Sequence, residues 1–108
     1  MSHSFLDVAG FRGQRSKDIA RALSARAVQL TQIDDEPGRA GKEHDERESG
    51  REKVYVALRG NGVVRVDGAE LAIRPGLFVH VSPESTRQVV AGDEGLSYLV
   101  VGGAVRDG

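Results

Sequence analysis

Gly38 to Gly60 reads G-R-A-G-K-E-H-D-E-R-E-S-G-R-E-K-V-Y-V-A-L-R-G, and Val63 to Arg87 continues V-V-R-V-D-G-A-E-L-A-I-R-P-G-L-F-V-H-V-S-P-E-S-T-R. From Val54 the pattern has period two. Val54, Val56 and Leu58 alternate with Tyr55, Ala57 and Arg59, as in a strand whose side chains point to opposite faces. Gly60-Asn61-Gly62 is a turn signal, because these residue types tolerate positive φ. Val63 to Val66 predicts a strand, and Asp67-Gly68 is a two-residue hairpin signal. Leu71 and Ile73 lead into Pro75-Gly76, a further turn.

The same rhythm extends outward. Leu77 to Val81, Arg87 to Val90 and Leu96 to Val101 predict strands, separated by Ser82-Pro83-Glu84 and by Ala91-Gly92-Asp93-Glu94-Gly95. Upstream, Arg26 to Ile33 predicts a strand with Val28 and Leu30 on one face. Ser16-Lys17-Asp18 ahead of Ile19, Ala20, Ala22 and Leu23 predicts a short helical turn capped by Ser16. Residues 1–15 read as an irregular arm or short edge strand. Between Asp34 and Lys53, thirteen of twenty residues are charged, which predicts a solvated mobile loop for the middle of this run. Short strands separated by Gly, Pro and Asp turns make this an all-β sandwich or barrel.

A chain of 108 residues has room for one domain and one core. Aromatics make up 5% and there is no Trp, so Val, Leu, Ile and Ala must fill that core. The net charge is −1, which argues against a nucleic-acid binder with its basic stripe. No apolar run reaches the ~18 residues of a membrane span, and Met1 to Phe5 lacks a signal-peptide core. Cysteine is absent, excluding disulfides and thiolate metal sites. A cytoplasmic location is the default expectation.

Leu58-Arg59-Gly60, Val66-Asp67-Gly68, Arg74-Pro75-Gly76, Val81-Ser82-Pro83 and Leu99-Val100-Val101-Gly102 follow one another in an order that resembles the cupin superfamily over residues 33–103. The resemblance implies a single small jelly-roll β-barrel with a short N-terminal arm or helix. Residues 1–30 would be the arm and first strands, 31–103 the barrel and 104–108 a frayed tail. Such proteins often pair through sheet edges and exchanged N-terminal strands, so the resemblance also implies a homodimer.

The family's metal-binding motifs are degenerate in this chain. Gly38 and His44 keep the start of the first motif, but its second histidine falls on Glu46 and its glutamate on Lys53, next to Glu52. In the second motif, P-x-G-x-x-H, the proline falls on Ser82, the glycine on Glu84 and the histidine on Arg87. Of the four ligands, only His44 is kept. Arginine does not deprotonate in a protein, and Lys53 would need a large pKa drop to ligate. The reading is therefore a pocket without an intact metal site and without a cofactor. A divalent metal on His44 and Glu46, aided by Glu48 or Glu52, is the alternative, since a His-x-Glu pair on a strand shares one face.

Parity puts Lys53 and Tyr55 on one face, and the resemblance turns that face inward with Arg87, His44 and Glu46. These five are the candidate ligand-binding residues for a small, anionic molecule. Arg87 suits a carboxylate or phosphate through two parallel N–H bonds. His44 and Tyr55 are the acid–base candidates. The competing reading is a ligand-free buried salt-bridge cluster in which Arg87 and Lys53 neutralise Glu46, Glu48 or Glu52. His80 reads as a partly buried structural histidine, and Tyr98 as core or interface. Gly60-Asn61-Gly62 lacks phosphate-loop spacing and no serine sits in a G-x-S-x-G elbow. Three functions stay open: a small-molecule-binding barrel, an oxygenase or isomerase, and an interaction module docking through Asp34–Lys53.

Overall fold

The structure, a computed structural model, describes residues 3–105. Two long antiparallel strands organise it: β3 (Arg51–Val66) and β6 (Arg87–Ala104). They pair with each other along almost their whole length, with register shifts between Ala57 and Arg59 and between Gly60 and Gly62. The N-terminal half of β3 also pairs with β5 (Phe78–Val81), and its C-terminal half with β4 (Ala69–Ile73). The C-terminal half of β6 pairs on its other side with β2 (Gln29–Asp35), which carries the short edge strand β1 (Ser16–Asp18). The strands thus form one six-stranded sheet in the order β1-β2-β6-β3-β4, with β5 also on β3, and its inward face lines the barrel interior.

The glycine clusters at Gly60 and Gly95 do not end strands, as the sequence suggested. They bend them. Gly60 has φ +82°, and a Cβ there would lie 2.1 Å from the Gly95 carbonyl oxygen. Only glycine lets the two backbones come so close at the crossing. The two chain reversals behave as expected. Asp67 and Gly68 both have positive φ, 49° and 86°, as a tight hairpin between β3 and β4 requires. Pro75-Gly76 closes with Leu77 N–H donating to the Arg74 carbonyl at 3.0 Å, with Gly76 at φ +96°, the signature of a type II turn.

Three further expectations need correction. The strand read from Arg26 begins at Gln29 and continues through Asp35, leaving Val28 exposed. Ser16 is not a helix cap: it lies in β1, and Asp18 caps the single turn α1 (Ile19–Ala22) by accepting from Arg21 N–H at 3.0 Å. The charged stretch Asp34–Lys53 is not a free loop. His44 and Arg87 exchange backbone hydrogen bonds at 2.9 and 2.8 Å, Gly41 N–H donates to the Val89 carbonyl, and Ala91 N–H donates to the Arg39 carbonyl. The segment around 39–44 therefore covers the otherwise open edge of β6, whose unpaired groups need a partner. Of the predicted tail, Ala104 ends β6 and Val105 bonds back to the Gly50 carbonyl at 3.1 Å; residues 106–108 lie outside the described residues.

Ten buried apolar residues form one core: Tyr55, Ala57, Val64, Ile73, Val79, Val81, Val89, Ala91, Leu96 and Tyr98. The inward face of β3 carries Lys53, Tyr55 and Ala57, all buried, while Val54 and Val56 face outward and are half-buried. No helix among the described residues is long and apolar enough to cross a membrane.

The arm is fastened to the barrel by charge. Asp34 accepts from the Lys17 ammonium and the Ser97 hydroxyl, with Arg59 Nη2 3.7 Å away. Burial pushes the Asp34 carboxyl up, but the hydrogen bonds from Lys17 and Ser97 and the charges of Lys17 and Arg59 outweigh it, so its pKa lies below the usual carboxylate value. A carboxylate depressed in the folded state contributes stability above its unfolded pKa, ~3.9, and loses it as pH falls through the lower folded value. Melting temperature is accordingly expected to drop on acidification below pH ~4, with a shallower drop in Asp34→Asn. A thermal melt series of both proteins checks this; parallel curves would contradict it.

Candidate functional site

Three inward rows line the barrel between β2, β6, β3 and β5. The innermost core row runs Thr31, Val100, Tyr55, Val79; the next, towards one end, runs Gln29, Gly102, Lys53, Val81. Ile33, Tyr98 and Ala57 form the third. Between these rows and the 41–46 segment lies a cavity of about 260 Å³, and all five predicted residues line it: His44, Glu46, Lys53, Tyr55 and Arg87.

Arg87 is the most buried of the five, at 1% exposure. Its fork is held by three oxygens. Nη2 donates to the Ser82 carbonyl at 2.8 Å, Nε to the Ser85 carbonyl at 3.2 Å, and Nη1 to the Tyr55 hydroxyl at 3.3 Å. None of these partners carries a negative charge. No carboxylate among the described residues forms an ion pair with Arg87. Buried cations are ordinarily paired; here neutral oxygens orient the guanidinium, and the Asp67 carboxylate feels its charge without forming an ion pair.

Lys53 is 4% exposed. The middle of its row is Gly102, so the lysine side chain can lie across that backbone. A Cβ at Gly102 would meet Lys53 Cδ at 3.0 Å and Nζ at 3.2 Å. The ammonium bonds to Gln29 Oε1 and sits 3.8 Å from Glu46 Oε1. Burial lowers the Lys53 pKa, Glu46 pulls it back up, and the charges of Arg51 and Arg87 lower it further, leaving it below the usual lysine value. Tyr55 is pushed the other way. Burial raises its phenol above the ordinary value, only partly offset by the hydrogen bond from Arg87, so the hydroxyl stays protonated.

His44 stands at the rim with its side chain 42% exposed, Nδ1 4.0 Å from Glu46 Oε1. Glu46 is also held by Ser49 Oγ at 2.9 Å. The His44 backbone pairs with Arg87 in an antiparallel bridge. Glu48 and Glu52 take no part. Glu52 accepts from His80 Nε2 at 2.8 Å on the outer surface, which also corrects His80: it is exposed, paired outside, and not a partly buried structural residue. The salt-bridge-cluster reading holds for Lys53 and Glu46 alone.

The donor set does not suit a divalent metal. Among the described residues no three His, Asp or Glu side chains converge as ligands. Glu46 already faces an ammonium at 3.8 Å, and the fourth ligand position holds a guanidinium. At an effective dielectric of 20, two unit charges 4 Å apart interact by about 4 kcal/mol; a divalent cation would be repelled by about twice that from each neighbour.

Sequence reasoning missed Arg15, Gln29 and Tyr98, which also line the cavity. Gln29 was findable, because parity across Gly102 sets it opposite Lys53. Arg15 was not: it comes from the arm and is held by Asp35 Oδ1 at 2.6 Å. Asp35 has a wholly buried side chain, with Arg39 Nε 3.6 Å from the same oxygen. Its other oxygen, Oδ2, has no hydrogen-bond partner. Tyr98 sits with its ring centroid 6.2 Å from that of Tyr55. Burial raises its pKa, reinforced by the charge of Asp35.

No protein-family model matches the sequence, and no curated protein matches it. Solved structures do. A cupin protein from Bacteroides fragilis superposes over 100% of this chain and 91% of its own, with a TM-score of 0.81 at 18% identity. A cupin 2 conserved barrel domain protein from Salinispora arenicola matches over 97% of this chain and 90% of its own, TM-score 0.73, 22% identity. A sugar phosphate isomerase of the cupin superfamily from Silicibacter pomeroyi matches over 83% of this chain, TM-score 0.71, 21% identity, but this chain spans only 59% of it. At these identities the likeness establishes the fold.

Proposed function

We propose that this chain, which has the cupin fold, binds a small anionic molecule in its barrel cavity, with Arg87 as the principal anion-holding group. The carrying observation is the charge of the cavity wall. Two buried cations, Arg87 and Lys53, face one half-buried carboxylate, Glu46. An anion in the cavity would supply the missing charge. Its carboxylate or phosphoryl oxygens would meet the guanidinium N–H groups that are not used by Ser82, Ser85 and Tyr55. The cavity, about 260 Å³, is at or below the lower end of ligand pockets, so the ligand is small. The Silicibacter pomeroyi neighbour is named for a substrate that is also anionic.

A panel of glycolate, lactate, citrate and inorganic phosphate, read by thermal melting, tests this. A ligand at ~100 times its Kd stabilises by about 2.7 kcal/mol, a shift of several degrees for a domain of this size. The small monoanions are expected to raise the melting temperature, with citrate weaker because of its size. The shift is expected to vanish in Arg87→Met. No shift with any anion, or an equal shift in the variant, would overturn the reading.

A further inference from the structure

We propose that Lys53 is a nucleophile: it condenses with the carbonyl carbon of a small oxo acid held in the cavity, giving an imine. This rests on the anion-binding reading above and narrows the ligand to small carboxylates that also carry an aldehyde or ketone. Lys53 is one of three lysines in the chain, with Lys17 and Lys42. It is the only one of them that is both buried and part of the cavity wall.

The surroundings fit an amine that reacts. Lys53 Nζ is removed from water, and a second cation, Arg87, lines the same cavity. Burial and a neighbouring cation are the two arrangements that favour a neutral, nucleophilic lysine. Lys53 keeps Gln29 Oε1 as a partner and Glu46 at 3.8 Å; Lys17 is likewise buried and bonded, to Asp34 and the Gln14 carbonyl, but does not line this cavity. Lys42 is exposed at the rim. Gly102 adds a geometric reason, because its missing side chain is what gives Lys53 its place across the strand.

The step balances with the groups present. The Lys53 ammonium gives one proton to the Glu46 carboxylate, 3.8 Å away. The freed lone pair forms a C–N bond to the carbonyl carbon while the C=O π pair moves to oxygen, which takes a proton from the Tyr55 phenol; the nitrogen, now positive with two hydrogens, returns one of them to the tyrosinate. The phenol then protonates the carbinolamine hydroxyl, which leaves as water while the nitrogen lone pair closes the C=N bond, and the nitrogen's last proton goes back to the tyrosinate. The net change is amine plus carbonyl to imine plus water, with no oxidant or reductant. Tyr55, its phenol protonated and hydrogen-bonded to Arg87, is the group placed to donate to the departing oxygen. Arg87 holds the acid's carboxylate throughout.

The test is reductive trapping on the whole chain. Pyruvate and glyoxylate are each added with cyanoborohydride, and the labelled residues are located by peptide mass mapping. Lactate, which has no ketone or aldehyde, serves as the matched anion. The expected result is a reduced adduct on Lys53 well ahead of Lys42 and Lys17, none with lactate, and loss of that adduct in Lys53→Arg, which keeps the charge. Gly102→Ala is expected to slow labelling of Lys53 relative to Lys42 in the same sample. Labelling of Lys42 as fast as Lys53 overturns the proposal. So does a pyruvate melting shift equal to that of lactate with no adduct on Lys53, an outcome that leaves the anion-binding reading standing. Failure of all these acids to bind would remove both.

Discussion

Arg87→Ala is expected to lower the stability of this barrel by about 3 kcal/mol and to abolish anion binding. The stability loss has two sources. The half-buried Ser85 carbonyl and the buried Tyr55 hydroxyl lose the Arg87 donor, while the Ser82 carbonyl keeps Ser85 N–H at 3.2 Å; an orphaned buried polar group costs about 1–3 kcal/mol. Truncation also empties the space of a fully buried side chain, which leaves a costly cavity. Against this, an unpaired buried charge disappears, which is itself favourable, so the cost stays near the low end of the sum. Arg87→Met separates the terms. It fills most of the volume and carries no charge, so it should be less destabilising than alanine yet equally unable to bind anions. Arg87→Lys should keep the charge but lose the fork, weakening binding by about tenfold or more, since about 1.4 kcal/mol is a factor of ten. Urea unfolding midpoints at constant m-value measure the stability changes. An unchanged midpoint in Arg87→Ala would mean that the guanidinium is not braced inside the barrel.

The second large effect is expected at Gly60. In Gly60→Ala the new Cβ would lie 2.1 Å from the Gly95 carbonyl oxygen and 2.8 Å from its carbon. Both are backbone atoms of the facing strand, so no side chain can swing away. The backbone also sits at φ +82°, where an L-residue is strained by about 1 kcal/mol or more. Together these place the loss at about 4 kcal/mol or above, among the largest single-residue effects. Gly68→Ala is the control. It has φ +86° but nothing within 4 Å of its Cβ, so it should show the conformational cost alone, about 1 kcal/mol. Equal midpoints for the two variants would contradict the close strand crossing.

Much of the fold was legible because turn chemistry is local. Asp67-Gly68 and Arg74-Pro75-Gly76 reveal themselves through φ preferences that need no tertiary context. Gly60 and Gly95 carry the same residue type for another reason: each is a bend in a strand that continues, and the facing backbone is far away in sequence. Asp34–Lys53 failed similarly. Its composition describes a solvated segment, yet the open edge of β6 recruits its backbone, and backbone pairing leaves no trace in side-chain polarity. The site divides along the same line. Parity put Lys53 and Tyr55 on one face and the resemblance turned that face inward, although the apolar members of that strand, Val54 and Val56, point outward. Arg87 was placed by resemblance alone. Arg15 was invisible, since only the folded arm brings it to the cavity.

The cavity wall carries more positive than negative charge, and its buried Arg87 is in no ion pair among the described residues. Calorimetric titration of the protein with lactate and with lactamide tests this most directly, because the two differ mainly in a carboxylate against a neutral amide of similar shape. The account predicts saturable binding of lactate at one site per chain, lost in Arg87→Met, and no measurable binding of lactamide. Equal binding of the two compounds, or binding of lactate that survives the loss of Arg87, would contradict it.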